Sequence, residues 1–283
     1  MSEVWTIQKI REYCIGYLQA HGDENPRLSA EWLIASALNM SRVQIYAYFD
    51  KPVSEQERAV IREGLIRRGN GEPLQYVTGE VGFRHIVLRT QKGVLIPRPE
   101  TEILVQSLID AMSLDENSNV LEVGCGTGCI ALSIAKETGA HVIATDISDE
   151  AYSCAARNIE ALSLEEKVQL VKTDCVAGIE GSFDALISNP PYIPSAVMND
   201  LPNEVASFEP HLALDGGEDG LDFFRRLINE ALPLLKNGAF FAVELHETCL
   251  DAARDIARQD GLQDIQIIND LNNKPRVLLG RKQ

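Results

Sequence analysis

The sequence lacks any surplus of positive charge: 26 Lys and Arg stand against 42 Asp and Glu, a net charge of −16. A chain of that balance is not built to neutralise a phosphate backbone, which argues against long duplex DNA or RNA as a partner unless a local basic patch exists. It also lacks metal-ligand spacing. The six cysteines (Cys14, Cys125, Cys129, Cys154, Cys175 and Cys249) form no C-x-x-C pair. Cys125 and Cys129 supply only two ligands, too few for a zinc site, so free thiols in a reducing cytosol and no metal are expected. No stretch approaches ~18 uninterrupted apolar residues, so no membrane span is expected. The start MSEVWTIQKIREYC has no apolar segment behind a basic one, so no secretory signal is read there. There is no internal repeat and no low-complexity segment. What remains is the expectation of a soluble, cytoplasmic protein. At 45% hydrophobic and 24% charged over 283 residues, it has ample material for one large domain or two smaller ones.

Three regions follow from the pattern along the chain. Residues 1–71 read as a small helical bundle. Val4, Ile7, Ile10, Cys14, Tyr17 and Leu18 repeat at three-and-four spacing, as do Leu28, Trp32, Ala35 and Leu38. Ser54 with Glu57 is a capping box, and Gly69 marks the end of the helix it opens. Residues 72–96 alternate and carry Gly79, Gly82 and Gly93, which predicts short strands and turns, a hairpin-like connector. Residues 97–283 begin with a helix behind Pro97 and Pro99 and continue as strand–helix alternation from 119. That alternation predicts an α/β domain, a mostly parallel Rossmann-like sheet covered on both faces. The last two strands are joined too tightly for a helical crossover, so one antiparallel strand should bring the total to seven.

Chemistry concentrates at the strand ends. The run LEVGCGTGC sets Gly124, Gly126 and Gly128 between the first strand of the domain and its helix. Glycines there let a ligand approach the backbone closely. The spacing is G-x-G-x-G; a dinucleotide loop would need glycine at position 129, which is Cys129. Asp146 ends the second strand about 20 residues further on, where a carboxylate can accept both ribose hydroxyls. It could instead cap the next helix, although Ser148 is better placed for that. Asp174 ends the third strand and could accept from an adenine amino group or lie in solvent. Three ligand-type features at three successive strand ends fit a nucleoside without phosphates, such as S-adenosylmethionine.

The fourth strand, FDALIS, runs into Asn189-Pro190-Pro191-Tyr192. In a doubly wound sheet it should neighbour the first strand, beside the glycine loop. The Asn189 side-chain carbonyl and the Pro190 backbone carbonyl are acceptors. Pro190 and Pro191 fix the backbone around them, and Tyr192 offers a flat face for stacking. Such a set suits a planar –NH2 group. Attack on an electrophilic methyl makes that nitrogen more positive, and two fixed oxygen dipoles stabilise the developing charge. A structural Pro-Pro turn is the rival reading.

The motif resembles that of amino methyltransferases with an N/D-P-P-Y/F signature, among them adenine-N6 enzymes and enzymes acting on glutamine. The longer matches EPLQYVTGE, VLIPRPETE, SNPPYIP, FEPHLALDGGEDGLDFF and PRVLLG together resemble the release-factor glutamine methyltransferases, from about Glu72 to the C-terminus. The resemblance implies N5-methylation of the glutamine in the Gly-Gly-Gln tripeptide of peptide chain release factors, with S-adenosylmethionine as cofactor and the helical region 1–71 helping to dock the factor. It implies cofactor binding at Gly124, Cys125, Gly126, Thr127, Gly128, Asp146, Asp174, Cys175 and Asn189. It implies substrate binding at Asn189, Pro190, Pro191 and Tyr192, with Asn189, Pro190 and Tyr192 carrying the catalysis. Cys175 stands where relatives often have an aromatic residue. Neither membrane nor sequence-specific nucleic acid is an expected partner. The alternative, an adenine-N6 methyltransferase acting on nucleic acid, shares the pocket chemistry but meets the charge of −16. Arg98, Glu100 and His246 are assigned no role, and the acidic glycine-rich run GGEDGLD reads as a solvated turn.

Overall fold

The structure, a computed structural model, describes residues 4–283. Two compact units emerge, the residues up to Glu80 together with Pro202–Phe208, and the remainder, Val81–Leu201 with Glu209–Gln283. In the first unit, α1 (Ile7–Ala20) starts at Thr6, whose side chain accepts from the Lys9 amide, and buries Ile7, Ile10, Cys14 and Leu18. These are the three-and-four positions of an amphipathic helix, while Val4 is exposed. The next helix, α2 (Pro26–Leu38), departs from the expected face. It buries Ala30, Leu33, Ile34 and Ala35, whereas Leu28 and Trp32 are 40% and 46% exposed. Apolar residues surround most of this helix, so periodicity alone does not select a face; packing on its neighbours does. The short α3 (Arg42–Ala47) follows a reciprocal Ser41–Gln44 capping box, and α4 (Glu55–Gly69) follows the Ser54–Glu57 box as expected. Leu74–Thr78 forms a one-turn helix, α5, where alternation suggested a strand.

The second unit opens with a two-stranded sheet, β1 (Glu80–Phe83) and β2 (Ile86–Arg89), and α6 (Pro99–Ala111). Then come β3 (Asn119–Val123), α7 (Cys129–Thr138), β4 (His141–Asp146), α8 (Asp149–Leu162), β5 (Val168–Lys172) and β6 (Phe183–Ser188). After α9 (Asn203–Phe208), which counts with the first unit, follow α10 (Asp222–Ala231), β7 (Leu235–Glu244), α11 (Leu250–Gln259), β8 (Leu262–Asn269) and β9 (Pro275–Lys282). The seven-stranded sheet has the order β5-β4-β3-β6-β7-β9-β8. Only β9 runs against its neighbours, pairing antiparallel with β7 and β8. The central strands β3 and β6 are apolar and buried almost throughout, as a sheet covered on both faces requires. Chain order reverses between them, with Val120 opposite Ala185 and Val123 opposite Ser188. Such a switch point is where open α/β sheets bind ligands, outside the carboxyl ends of the strands. Among the described residues, no helix is long and apolar enough to cross a membrane.

Candidate active site

At the switch point lies a cavity of about 720 Å³, lined by the loop after β3, the ends of β4 and β5, the residues after β6 and the segment 210–217. Backbone hydrogen bonds hold the loop open. The Gly124 and Cys125 amides both donate to the Thr145 carbonyl at 2.9 Å, and the Gly128 amide donates to the Cys125 carbonyl at 2.7 Å. Gly124 and Gly126 have φ of +77° and +56°, and a Cβ added at either would project into open space. Glycine is thus required by conformation, and its missing side chains leave backbone facing the ligand. Asp146 is tied into the same loop: Oδ2 accepts from the Gly126 amide and Oδ1 from the Ser148 amide, both at 2.9 Å. Ser148, not Asp146, caps α8, its hydroxyl accepting from the Ala151 amide.

Asp174 lines the cavity with one oxygen already engaged, accepting from Arg226 Nη1 at 2.6 Å. Cys175 also lines it, in a left-handed conformation (φ 52°) with its carbonyl accepting from the Thr145 hydroxyl. Burial pushes its thiol up to about 12 and those of Cys125 and Cys129 well above the usual range, so none is poised as a thiolate nucleophile.

Asn189 and Pro190 follow the last residue of β6. The strand end is fixed by Ser188, whose hydroxyl donates to the Val123 carbonyl at 2.7 Å. Asn189 Nδ2 donates to Thr101 Oγ1 on α6 at 3.0 Å, and Asn189, Pro190, Pro191 and Thr101 all line the cavity. Tyr192 does not line it. Its ring packs against the core, and its hydroxyl donates to Glu244 Oε1 at the end of β7 at 3.0 Å. Burial next to that carboxylate drives the Tyr192 phenol well above its ordinary pKa. Arg98 lines the cavity and pairs with Glu209, whose other oxygen accepts from the Ile96 amide.

The run GGEDGLD is not a free turn. A Cβ at Gly216 would sit 2.7 Å from the Tyr192 Cα, and one at Gly220 would sit 2.5 Å from the Tyr192 carbonyl oxygen. The Ile193 amide donates to Leu214, and the Gly216 amide donates back to Ile193. Those glycines are present because the Pro-Pro-Tyr backbone lies directly on them.

The residues fit S-adenosylmethionine. Carboxylates Asp146, Asp174, Asp215 and Asp222 outnumber the guanidinium groups Arg98 and Arg226 in the lining, and the two arginines are paired with Glu209 and Asp174. A cationic ligand is favoured there over a pyrophosphate. Glu122, fully buried, accepts from the Ala131 amide through Oε2, while Oε1 has no partner. Burial holds its pKa up to about 8, as for a carboxylate missing its counter-charge. Glu122, Thr101 and Glu244 escaped the sequence reading. A signal was there for the two glutamates: each interrupts an apolar strand run, NVLEV and FFAVEL, where a charged side chain must be buried.

A family profile described as "PrmC N-terminal domain" matches residues 9–79, and one described as "Methyltransferase small domain" matches 96–203. The release factor glutamine methyltransferase of Rhodopirellula baltica is 37% identical over 286 residues, covering 98% of this chain and 97% of the relative. That of Geobacter sulfurreducens is 37% identical over 281 residues, covering 99% and 98%. Among solved structures, a methyltransferase from Pyrococcus furiosus superposes with a TM-score of 0.54 at 24% identity, over 69% of this chain and 88% of that one, a likeness of fold.

Proposed function

The chain belongs to the release factor glutamine methyltransferases, and on that premise we propose that it methylates the N5 side-chain amide of the glutamine in the Gly-Gly-Gln motif of peptide chain release factors. Its cofactor is S-adenosylmethionine, which supplies an electrophilic methyl group on a sulfonium. The cofactor lies along Gly124–Gly128, with Asp146 accepting from the ribose hydroxyls, Asp174 and Cys175 beside the adenine and Glu122 facing the cationic tail. Asn189 Oδ1 and the Pro190 carbonyl accept the two N–H bonds of the substrate amide. A glutamine amide nitrogen is a poor nucleophile because its lone pair is delocalised. Two fixed acceptors stabilise the positive charge that grows on it during transfer, and they hold it in line for attack. Pro191 keeps the acceptors rigid, and Tyr192 supports them from behind. The N-terminal helical unit docks the release factor, and the reaction takes place in the cytoplasm.

One observation carries this reading. One N–H of the Asn189 amide donates to Thr101, which turns Oδ1 away from that partner as an acceptor for a ligand, on a residue that lines the same cavity as the glycine loop. An acceptor there suits a substrate that brings N–H donors. The test incubates the protein with S-adenosylmethionine and a purified release factor and maps the product by mass spectrometry. One added methyl on the Gly-Gly-Gln glutamine is expected. An unmodified tripeptide, or labelled methyl in nucleic acid instead, would overturn it.

A further inference from the structure

The far end of the cavity is built partly by strands and partly by a helix. β4 and β5 lie side by side, and the Thr173 amide donates to the Asp146 carbonyl at 2.9 Å, so Asp146 and Asp174 stand at neighbouring strand ends. A purine brought there presents an edge with polar groups and two flat apolar faces. Asp174 offers a carboxylate to the edge. The next residue on β5's side offers no face, because Cys175 is 4% exposed and packs into the core.

Helix α10 supplies what the strands do not. Phe223 in its first turn and Arg226 in its second both line the cavity, while Phe224, Leu227, Ile228 and Ala231 on the same helix are buried. Positions three apart are neighbours on a helix surface. The Phe223 ring is half-buried, and the Arg226 guanidinium carbon lies 6.0 Å from its centroid. That guanidinium is held by two carboxylates. Nε donates to Glu230 Oε1 at 2.6 Å and Nη2 to Oε2 at 3.3 Å, while Nη1 donates to Asp174 Oδ1 at 2.6 Å. Asp174 therefore has one oxygen tied down, and among the described residues none donates to Oδ2. The Arg226 and Asp174 side chains are 35% and 51% exposed, and an ion pair that open contributes little stability. What it does is set direction. A planar fork anchored on Glu230 fixes one carboxylate oxygen and leaves the other as a free acceptor.

We propose that α10 completes the recognition of the cofactor's base: Phe223 stacks on adenine, and Arg226 is a positioning residue that aims Asp174 Oδ2 at the exocyclic amino group. The site is then selective for adenine over hypoxanthine. Hypoxanthine carries a carbonyl where adenine has its amino group, and two acceptors facing each other share no proton. The inference rests on the function proposed above and adds to it two residues of α10.

Calorimetric titration of the full-length protein tests it with two probes, S-adenosylhomocysteine and the same molecule with hypoxanthine in place of adenine, S-inosylhomocysteine. The wild type is expected to prefer the adenine form by about 10- to 100-fold, the scale of one hydrogen bond to a charged group. Arg226→Leu should reduce that preference to within about threefold, and Arg226→Lys, which keeps a donor, should recover part of it. Phe223→Leu keeps apolar bulk but loses the ring, so it should weaken both probes together by about fivefold or more and leave their ratio unchanged. Phe223→Tyr should restore the affinity. A general loss of structure would lower affinity without separating ratio from affinity in this way. Undiminished preference in Arg226→Leu, or wild-type affinity in Phe223→Leu, would overturn the proposal. A wild type that binds both probes equally overturns it as well. A wild type that binds neither probe overturns the functional reading itself.

Discussion

Glu31 in the helical unit and Glu244 in the sheet unit are both closed off from water, at 1% and 0% exposure, yet one is saturated with partners and the other is not. Glu31 accepts from Arg27 at 3.0 Å, from Arg42 at 2.6 Å and from the Tyr46 hydroxyl. Burial alone would raise its pKa, but the hydrogen bonds of Tyr46, Arg42 and Arg27 win, and the carboxyl lies below the usual range. Glu244 and Glu122 go the other way: burial dominates, each keeps an oxygen without a partner, and each is raised. Native proteins leave few buried polar atoms unsatisfied. The Glu31 cluster follows that rule because it only has to hold helices together. The sheet unit departs from it at the two strand ends that flank the cavity, where a ligand or a directed hydrogen bond completes the set.

The largest break in that contrast comes at Asn189. Asn189→Ala removes one proposed transition-state partner, and kcat is expected to fall by about 10²–10³-fold. S-adenosylmethionine affinity by calorimetry should move only severalfold. Equal loss of affinity and turnover would mean that Asn189 serves the cofactor rather than the amide. The complementary variant is Glu31→Ala. It strands two arginines that still reach water, so the expected cost is about 2 kcal/mol of stability, below the range for a fully buried pair. Turnover per folded molecule on a short Gly-Gly-Gln peptide should not change. A drop in kcat without a drop in Tm would show the helical cluster to be more than structural.

Glu122 sharpens the contrast through pH. Its folded pKa is raised from 4.5 to about 8, so the folded chain holds a proton that the unfolded chain has released across that interval. The stabilising protonated form is fully present below the unfolded value and is lost as pH rises through the folded one, at up to about 1.4 kcal/mol per pH unit. Glu122→Gln removes that titration. Thermal melts of the cofactor-free protein should show the variant gaining on the wild type from pH 5 to pH 8, while S-adenosylmethionine binds it more weakly. Parallel melting curves across that range would remove Glu122 from the group of under-satisfied carboxylates.

What could be read in advance was local. Strand–helix alternation, the glycine spacing and Asn-Pro-Pro-Tyr are each contiguous, and they led to a seven-stranded sheet with its switch point between β3 and β6. The supporting partners were hidden because they arrive from far along the chain: Thr101 meets Asn189 across 88 positions, and Tyr192 meets Glu244 across 52. The GGEDGLD run misled for the same reason. Glycine signals a turn when the chain alone is considered, and only the fold shows a second backbone lying on Gly216 and Gly220. On α2 the apolar residues were too many for periodicity to select a face. The buried glutamates were the exception. A charge inside an apolar strand is visible in sequence, yet the reading of NVLEV and FFAVEL as strands passed over both Glu122 and Glu244.

The smallest effects separate the units most cleanly, through two serines with the same local task. Ser54 caps α4 in a reciprocal box with Glu57, and Ser148 caps α8 by accepting from the Ala151 amide at 3.2 Å. Replacing either by alanine frees one helix amide and should cost about 1 kcal/mol. Their surroundings differ. The Ser148 amide also donates to Asp146 Oδ1, and Ser148 lines the cavity, whereas Ser54 belongs to the helical unit and contacts no such site. Ser148→Ala should therefore add a two- to threefold loss of S-adenosylmethionine affinity, roughly the scale of a slightly loosened Asp146, to a stability loss that matches Ser54→Ala. Calorimetric titration of both variants decides it: identical affinities would mean that the α8 cap is only a cap, and that Asp146 keeps its orientation through the Gly126 amide alone.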